Sequence, residues 1–278
     1  MDLKILLDTP PFDWPEGVGR TFKRLLRDPS SNRSERLIAA ELGGDLCVMD
    51  DDMAETLLRV LKNAKEPEEL RAKAAISLGP SLEMGYMELD EEMEGFEDAE
   101  SVPISEEMFR RVQQSLREVY LDTGTPRLVR RRVLEAAVRS PEPWQEDAVR
   151  EAYAGGDREW VLTAVFAMQY VPGFEAETLE ALGSADPEIH REAVAAAGEK
   201  ELDAAWDHIS ALASDSATEK DLRIAAIGAL GGIRPADAKG ILLELADSDD
   251  EDIAEAADEA LTMIGPDDLA DEDDELIN

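Results

Sequence analysis

A ten-residue phrase recurs along this chain, and it limits the possible folds more than any other feature. It reads LRAKAAISLG from Leu70, LVRRRVLEAA from Leu128 shifted by one place, IHREAVAAAG from Ile189, LRIAAIGALG from Leu222 and IAEAADEALT from Ile253. Weaker copies, SERLIAAELG from Ser34 and WVLTAVFAMQ from Trp160, bring the set to about seven units. The anchors Trp160, Ile189, Leu222 and Ile253 stand 29, 33 and 31 residues apart. Two helices of about 10 to 14 residues with two short turns fill such a period, so the spacing predicts one helical hairpin per unit. Small and apolar residues fall roughly four, five, seven and eight places after the anchors. That is one face of a helix, with alanine where a neighbouring helix must come close.

A helix preceding each phrase carries a stripe of its own: Leu57, Leu58 and Leu61; Phe109, Val112 and Leu116; Leu179 and Leu182; Ile209 and Leu212; Leu242 and Leu245. One hairpin hides only part of this apolar surface, so neighbours must stack. The predicted fold is therefore all-α, an α-solenoid of hairpin repeats wound as a right-handed superhelix. Punctuation fits the period. Asp157, Asp186 and Asp250 each stand three places before an anchor, where a carboxylate accepts from the orphan amides of a helix start. Pro187 and Pro235 occupy first-turn positions, and Gly79, Gly198 and Gly231 are read as left-handed caps closing the second helices. Residues 1–15, with Pro10, Pro11, Phe12, Trp14 and Pro15, form a leader or cap. Residues 16–266 form the repeat array, with an acidic insertion at 83–105, and residues 267–278 form an acidic, disordered tail.

From about Pro15 to Pro266 these phrases resemble short bacterial HEAT-like repeats, of the kind also found in phycobilin lyases and deoxyhypusine hydroxylases. The resemblance implies that an aspartate before the second helix pairs along the stack with an arginine just after the anchor. Arg71, Arg130, His190 and Arg223 match that basic position, while Ala254 breaks the series. For function the resemblance implies only a surface that displays side chains, because one repeat fold hosts many unrelated activities.

Charge removes several classes of partner. With 65 acidic against 28 basic side chains, the net charge of −37 repels phosphate backbones and anionic bilayers, so neither nucleic acid nor membrane is expected as partner. The single cysteine, Cys47, allows no internal disulfide, and the absence of a long uncharged stretch points to a cytoplasmic protein. No catalytic residue, metal or cofactor is expected. Deoxyhypusine hydroxylase-like proteins hold iron through repeated His-Glu pairs, but His190 is followed by Arg191 before Glu192, and no second pair occurs. Cys47 lies among Asp45 and Asp50 to Asp52, which disfavour a thiolate. Asp247 to Asp252 has aspartate where a calcium loop needs glycine at its sixth position. HEAT-like DNA glycosylases use a basic face that this acidic chain lacks.

The period breaks between Leu70 and Val129, which stand 59 residues apart. The excess, 83–105, has no basic residue and intersperses Met84, Tyr86, Met87, Leu89, Met93 and Phe96 with carboxylates. A basic island follows, with Arg127, Arg130, Arg131, Arg132 and Arg139, so an internal contact between 83–105 and 127–139 is expected. The overall expectation is a non-catalytic scaffold or adaptor binding an unknown protein or peptide on its concave face. Candidate contact residues, placed off the packed faces, are Lys73, Arg131, Arg132, Glu135, Thr163, Phe166, Arg191 and Glu192. The alternative is a lyase or modifying enzyme resembling the phycobilin lyases, with the array cradling a pigment.

Overall fold

The computed structural model describes residues 3–89 and 102–264. The chain divides into two compact units, Met1–Ala148 and Val149–Asn278. The first holds α1 (Lys4–Leu7), a 3-10 turn at Pro11–Asp13, α2 (Val18–Arg27), α3 (Arg33–Leu42), α4 (Asp51–Lys62), α5 (Glu68–Ile76), α6 (Gly79–Leu89), α7 (Glu106–Leu121), α8 (Arg127–Ala137) and the start of α9 (Trp144–Ala154). The second holds the rest of α9, then α10 (Arg158–Ala167), α11 (Glu175–Ala181), α12 (Pro187–Glu199), α13 (Trp206–Ser214), α14 (Lys220–Ile233), α15 (Pro235–Ala246) and α16 (Glu251–Met263). No strand occurs among the described residues.

Each unit is a stack of helical hairpins, the α-solenoid architecture. In the first, α2 pairs with α3, α4 with α5 and α7 with α8; α3, α5 and α8 form one row of second helices, and α2, α4 and α7 the row of first helices. In the second unit, α11 pairs with α12, α13 with α14 and α15 with α16, while α10, α12, α14 and α16 follow one another in the row of second helices. The stripes read from the sequence supply the core. Leu57, Leu61, Leu70, Leu116, Leu134, Ile209 and Leu242 are wholly or almost wholly buried, with alanines 74, 75, 136, 196, 197 and 226 between them. Each large side chain so buried contributes about 1.5–3 kcal/mol.

The excess between α5 and α7 does not interrupt the stack, because α5 packs on α8 and α4 on α7 across it. Residues 83–89 continue α6, which packs on both α7 and α8. At the other end of the insertion, Ser105 caps α7 and bonds Asp51 through both its amide (2.7 Å) and its hydroxyl (2.7 Å). Residues 90–101 of the insertion, and the acidic tail at 267–278, lie outside the described residues. In the leader, Leu3 and Leu6 are buried and α1 rests on α3. The Trp14 indole donates to the Thr9 carbonyl (2.9 Å) and meets Phe22 edge-on, with ring centroids 5.8 Å apart.

The closing glycines need a correction. Left-handed backbone at glycine occurs at Gly17, Gly156 and Gly173 among the described residues, not at Gly79, Gly198 or Gly231. Helix α12 runs through Gly198 and α14 through Gly231, while Gly79 opens α6. What excludes a side chain at position 198 is helix contact: a β-carbon there would lie 2.6 Å from Ala229 Cβ on α14. At position 198 glycine permits close approach rather than an unusual turn.

Candidate functional site

The turns inside the hairpins set the register of the second-helix face. In four hairpins the first helix ends on Asp28, Asn63, Asp122 or Asp215, whose side-chain oxygen accepts from the amide two residues on, at 2.8–3.1 Å. Eight residues further stands an arginine of the second helix: Arg36, Arg71, Arg130 or Arg223. Each guanidinium reaches back to a carbonyl two residues before the turn residue: Leu26 (2.9 Å), Leu61 (2.8 Å), Tyr120 (2.7 Å) and Ala213 (2.9 Å). The cation thus satisfies an acceptor at the C-terminal, negative end of its own hairpin's first helix.

This corrects the expected ladder. Arg71, Arg130 and Arg223 clamp their own hairpins and do not pair with the helix-start aspartates. Asp157, Asp186 and Asp250 do accept amide hydrogens at the starts of α10, α12 and α16. The cations facing Asp186 and Asp250 come from the first residue of the preceding second helix. Arg158 bonds Asp186 (2.6 Å) and Glu188, and Lys220 bonds Asp250 (2.8 Å) and Asp252. Arg33 likewise meets Glu69 (2.6 Å). These cations stand at helix N-termini, where the helix dipole disfavours them, and the acidic start of the next helix offsets that cost. The hydrogen bonds from Arg158 hold Asp186 below the usual carboxylate range, and those from Lys220 do the same for Asp250.

Two candidate contact residues need correction as well. Arg131 and Thr163 are buried, at 6% and 2% exposure. In repeat register Arg131 replaces Ala72, itself 4% exposed, so its side chain lies in the packed layer. Thr163 shares the register of Lys73 and Arg132, but the α10 surface is covered there.

Lys73 and Arg132, equivalent positions of α5 and α8, are brought together in the first unit. They line an open groove of about 600 Å³ across the row α3, α5 and α8. Its apolar lining comes from Leu42, Ala72, Ile76, Pro80 and Leu128, and its charged lining from Glu41, Asp45, Glu69, Lys73, Arg132 and Arg139. Lys73 pairs with Glu41 (3.1 Å), Arg132 with Glu135 of its own helix, and Arg139 with Glu83 of α6. The last is a contact between the insertion 83–105 and the basic island. Sequence reasoning missed Glu41, Glu69 and Leu128 as groove residues; their register relative to Lys73 and Arg132 was the available signal.

The other candidates belong to the second unit. Phe166 is half-buried beside Tyr170, with ring centroids 5.5 Å apart. Glu192 accepts from Gln169 (3.1 Å) and lies 3.9 Å from Arg191. His190 occupies the clamp position of α12, but its ring contacts His208 rather than a carbonyl. Cys47 is exposed. Among the described residues no helix is long and apolar enough to cross a membrane, and no group of three or more His, Cys, Asp or Glu is placed to hold a metal ion.

Hairpin stacking and an open second-helix surface define an all-α helical-repeat protein of the α-solenoid class. Residues 175–262, covering α11 to α16, match the family model of HEAT repeats, so the repeat in that part of the chain is HEAT-like. No curated protein sequence matches the chain. Among solved structures, the CpcE–CpcF complex of phycocyanin lyase from Nostoc sp. PCC7120 is 18% identical, covering 92% of this chain and 98% of that one, with a TM-score of 0.44. Human deoxyhypusine hydroxylase in complex with glycerol is 17% identical, covering 90% and 96%, with a TM-score of 0.39. A designed armadillo repeat protein is 17% identical over 88% and 99%, with a TM-score of 0.32. At this level the likenesses say nothing about activity.

Proposed function

We propose that this protein is a non-catalytic, cytoplasmic interaction scaffold that binds a protein or peptide along the second helices of its first unit. One observation carries the reading: the groove across α3, α5 and α8 joins an aliphatic floor to charged groups of both signs. An extended peptide can bury side chains on Leu42, Ile76 and Leu128 while exchanging the partners of Lys73, Arg132 and Arg139 for its own polar groups. The groove lining contains acidic, basic and aliphatic side chains, with no histidine or cysteine among them. That mixture of aliphatic and oppositely charged side chains is of the kind that peptide-binding surfaces use.

The test is affinity capture with chemical cross-linking, using the full chain and a Lys73→Glu, Arg132→Glu variant. The expected result is a recurrent protein partner whose cross-links fall on α3, α5 and α8 and whose capture by the variant drops at least tenfold. Cross-links confined to other helices, capture indifferent to the variant, or a preparation carrying a bound pigment would overturn it.

A further inference from the structure

The chain has only two histidines, and the fold brings them together. His190 stands in the first turn of α12, and His208 stands on α13, the first helix of the next hairpin. Their Nε2 atoms are 2.9 Å apart, and their rings are inclined at 40° with centroids 5.2 Å apart. The repeat rule does not account for this contact. Position 190 is the clamp position, where Arg36, Arg71, Arg130 and Arg223 reach back within their own hairpins. The turn before α12 has Leu182 where those hairpins have Asp or Asn, and the imidazole points forward to the following hairpin instead. Burial, and after it the charge of His208, holds His190 below the usual imidazole pKa.

We propose that His190 and His208 form a two-imidazole site for a borderline divalent transition-metal ion, with Zn²⁺ as the type case and water in the remaining positions. Both Nε2 atoms converge on one point from separate helices. Tetrahedral Zn²⁺ at about 2.0–2.1 Å from each nitrogen needs them roughly 3.3 Å apart. His208 is exposed and can withdraw by the few tenths of an ångström required. The ion replaces the hydrogen bond between the rings. Each ring then binds the ion through an unprotonated Nε2 and keeps its proton on Nδ1. Nitrogen ligands set this site apart from the chain's 65 carboxylates, which suit Mg²⁺ and Ca²⁺.

With two histidines, a ¹⁵N-labelled sample of the full chain shows two imidazole spin systems, and each can be followed separately. ZnCl₂ is titrated in the presence of excess Mg²⁺, which occupies the carboxylate surface. The expected result is saturation at one equivalent, displacement of the Nε2 resonance of both rings, and an affinity at least tenfold lower in His190→Gln and in His208→Gln. His208 is exposed, so the second variant keeps its fold, which circular dichroism checks. Displacement of neither Nε2, displacement of one alone, or undiminished Zn²⁺ binding by His208→Gln would overturn the site.

Discussion

Replacing Arg36 with methionine is expected to be the most damaging single change in the clamp series. Arg36 joins the Leu25 and Leu26 carbonyls to the Glu66 carboxylate, with four hydrogen bonds of 2.7–3.3 Å. The Arg36 and Glu66 side chains are only 5% and 9% exposed. Methionine fills much of the volume but leaves a buried carboxylate without its cation, a loss of about 3–5 kcal/mol. The Arg36→Met, Glu66→Leu double variant removes both charges and should recover part of this, with a coupling energy of about 2–3 kcal/mol. Urea unfolding, with hydrogen exchange read by mass spectrometry, measures the cost and assigns it to peptides spanning α2 to α5. Arg33→Met is the control. The Arg33–Glu69 side chains are 63% and 61% exposed, and such a pair is worth at most about 1 kcal/mol. A loss in Arg36→Met below about 1 kcal/mol, or equal to that of Arg33→Met, would refute the clamp as a stabilising element.

Arg71→Met removes one charged hydrogen bond to a carbonyl and should cost about 1.5–3 kcal/mol, less than Arg36→Met in the same urea assay. Gly198→Ala places a methyl 2.6 Å from Ala229 Cβ; overpacking of this kind costs about 1–3 kcal/mol, and exchange should rise in α12 and α14. Asp250 has a depressed folded-state pKa, so its pairing contributes fully above the unfolded value of about 3.9 and is lost as pH falls through the folded value. The melting-temperature gap between wild type and Asp250→Asn should therefore be flat from about pH 5 to 8 and close below about pH 4. Using the gap cancels the opposite trend from relief of the chain's negative self-repulsion. That self-repulsion itself predicts a higher melting temperature in 1 M salt, where the Debye length is about 3 Å, than in 0.01 M, where it is about 30 Å.

The hairpins could be read in the sequence because burial in a helical stack repeats with the chain. The stripes at Leu57 and Leu61, at Val112 and Leu116, and at Ala196 and Ala197 all sit in the core. The turn chemistry was also legible, since Asp or Asn stands eight residues before each clamping arginine. It was missed because the arginines were matched to aspartates outside their own hairpins. Arg131 was misplaced for a different reason: charge type suggested exposure where the repeat register, which pairs it with Ala72, indicated burial. Lys73 and Arg132 share that register and do line one groove. The approach of His190 to His208 could not be read at all, because it depends on how the chain between α12 and α13, including a 3-10 turn at Asp203–Ala205, aims two helices at each other.

The arginine clamp also bears on how such arrays grow. Donor and acceptor of each bond lie ten residues apart within one hairpin, so a hairpin copied, deleted or transplanted takes its own fastening along. The contacts from Arg158 and Lys220 to the next helix start join adjoining copies, and every new junction must supply them afresh. Change in the number of units is therefore limited at the seams, not inside the modules.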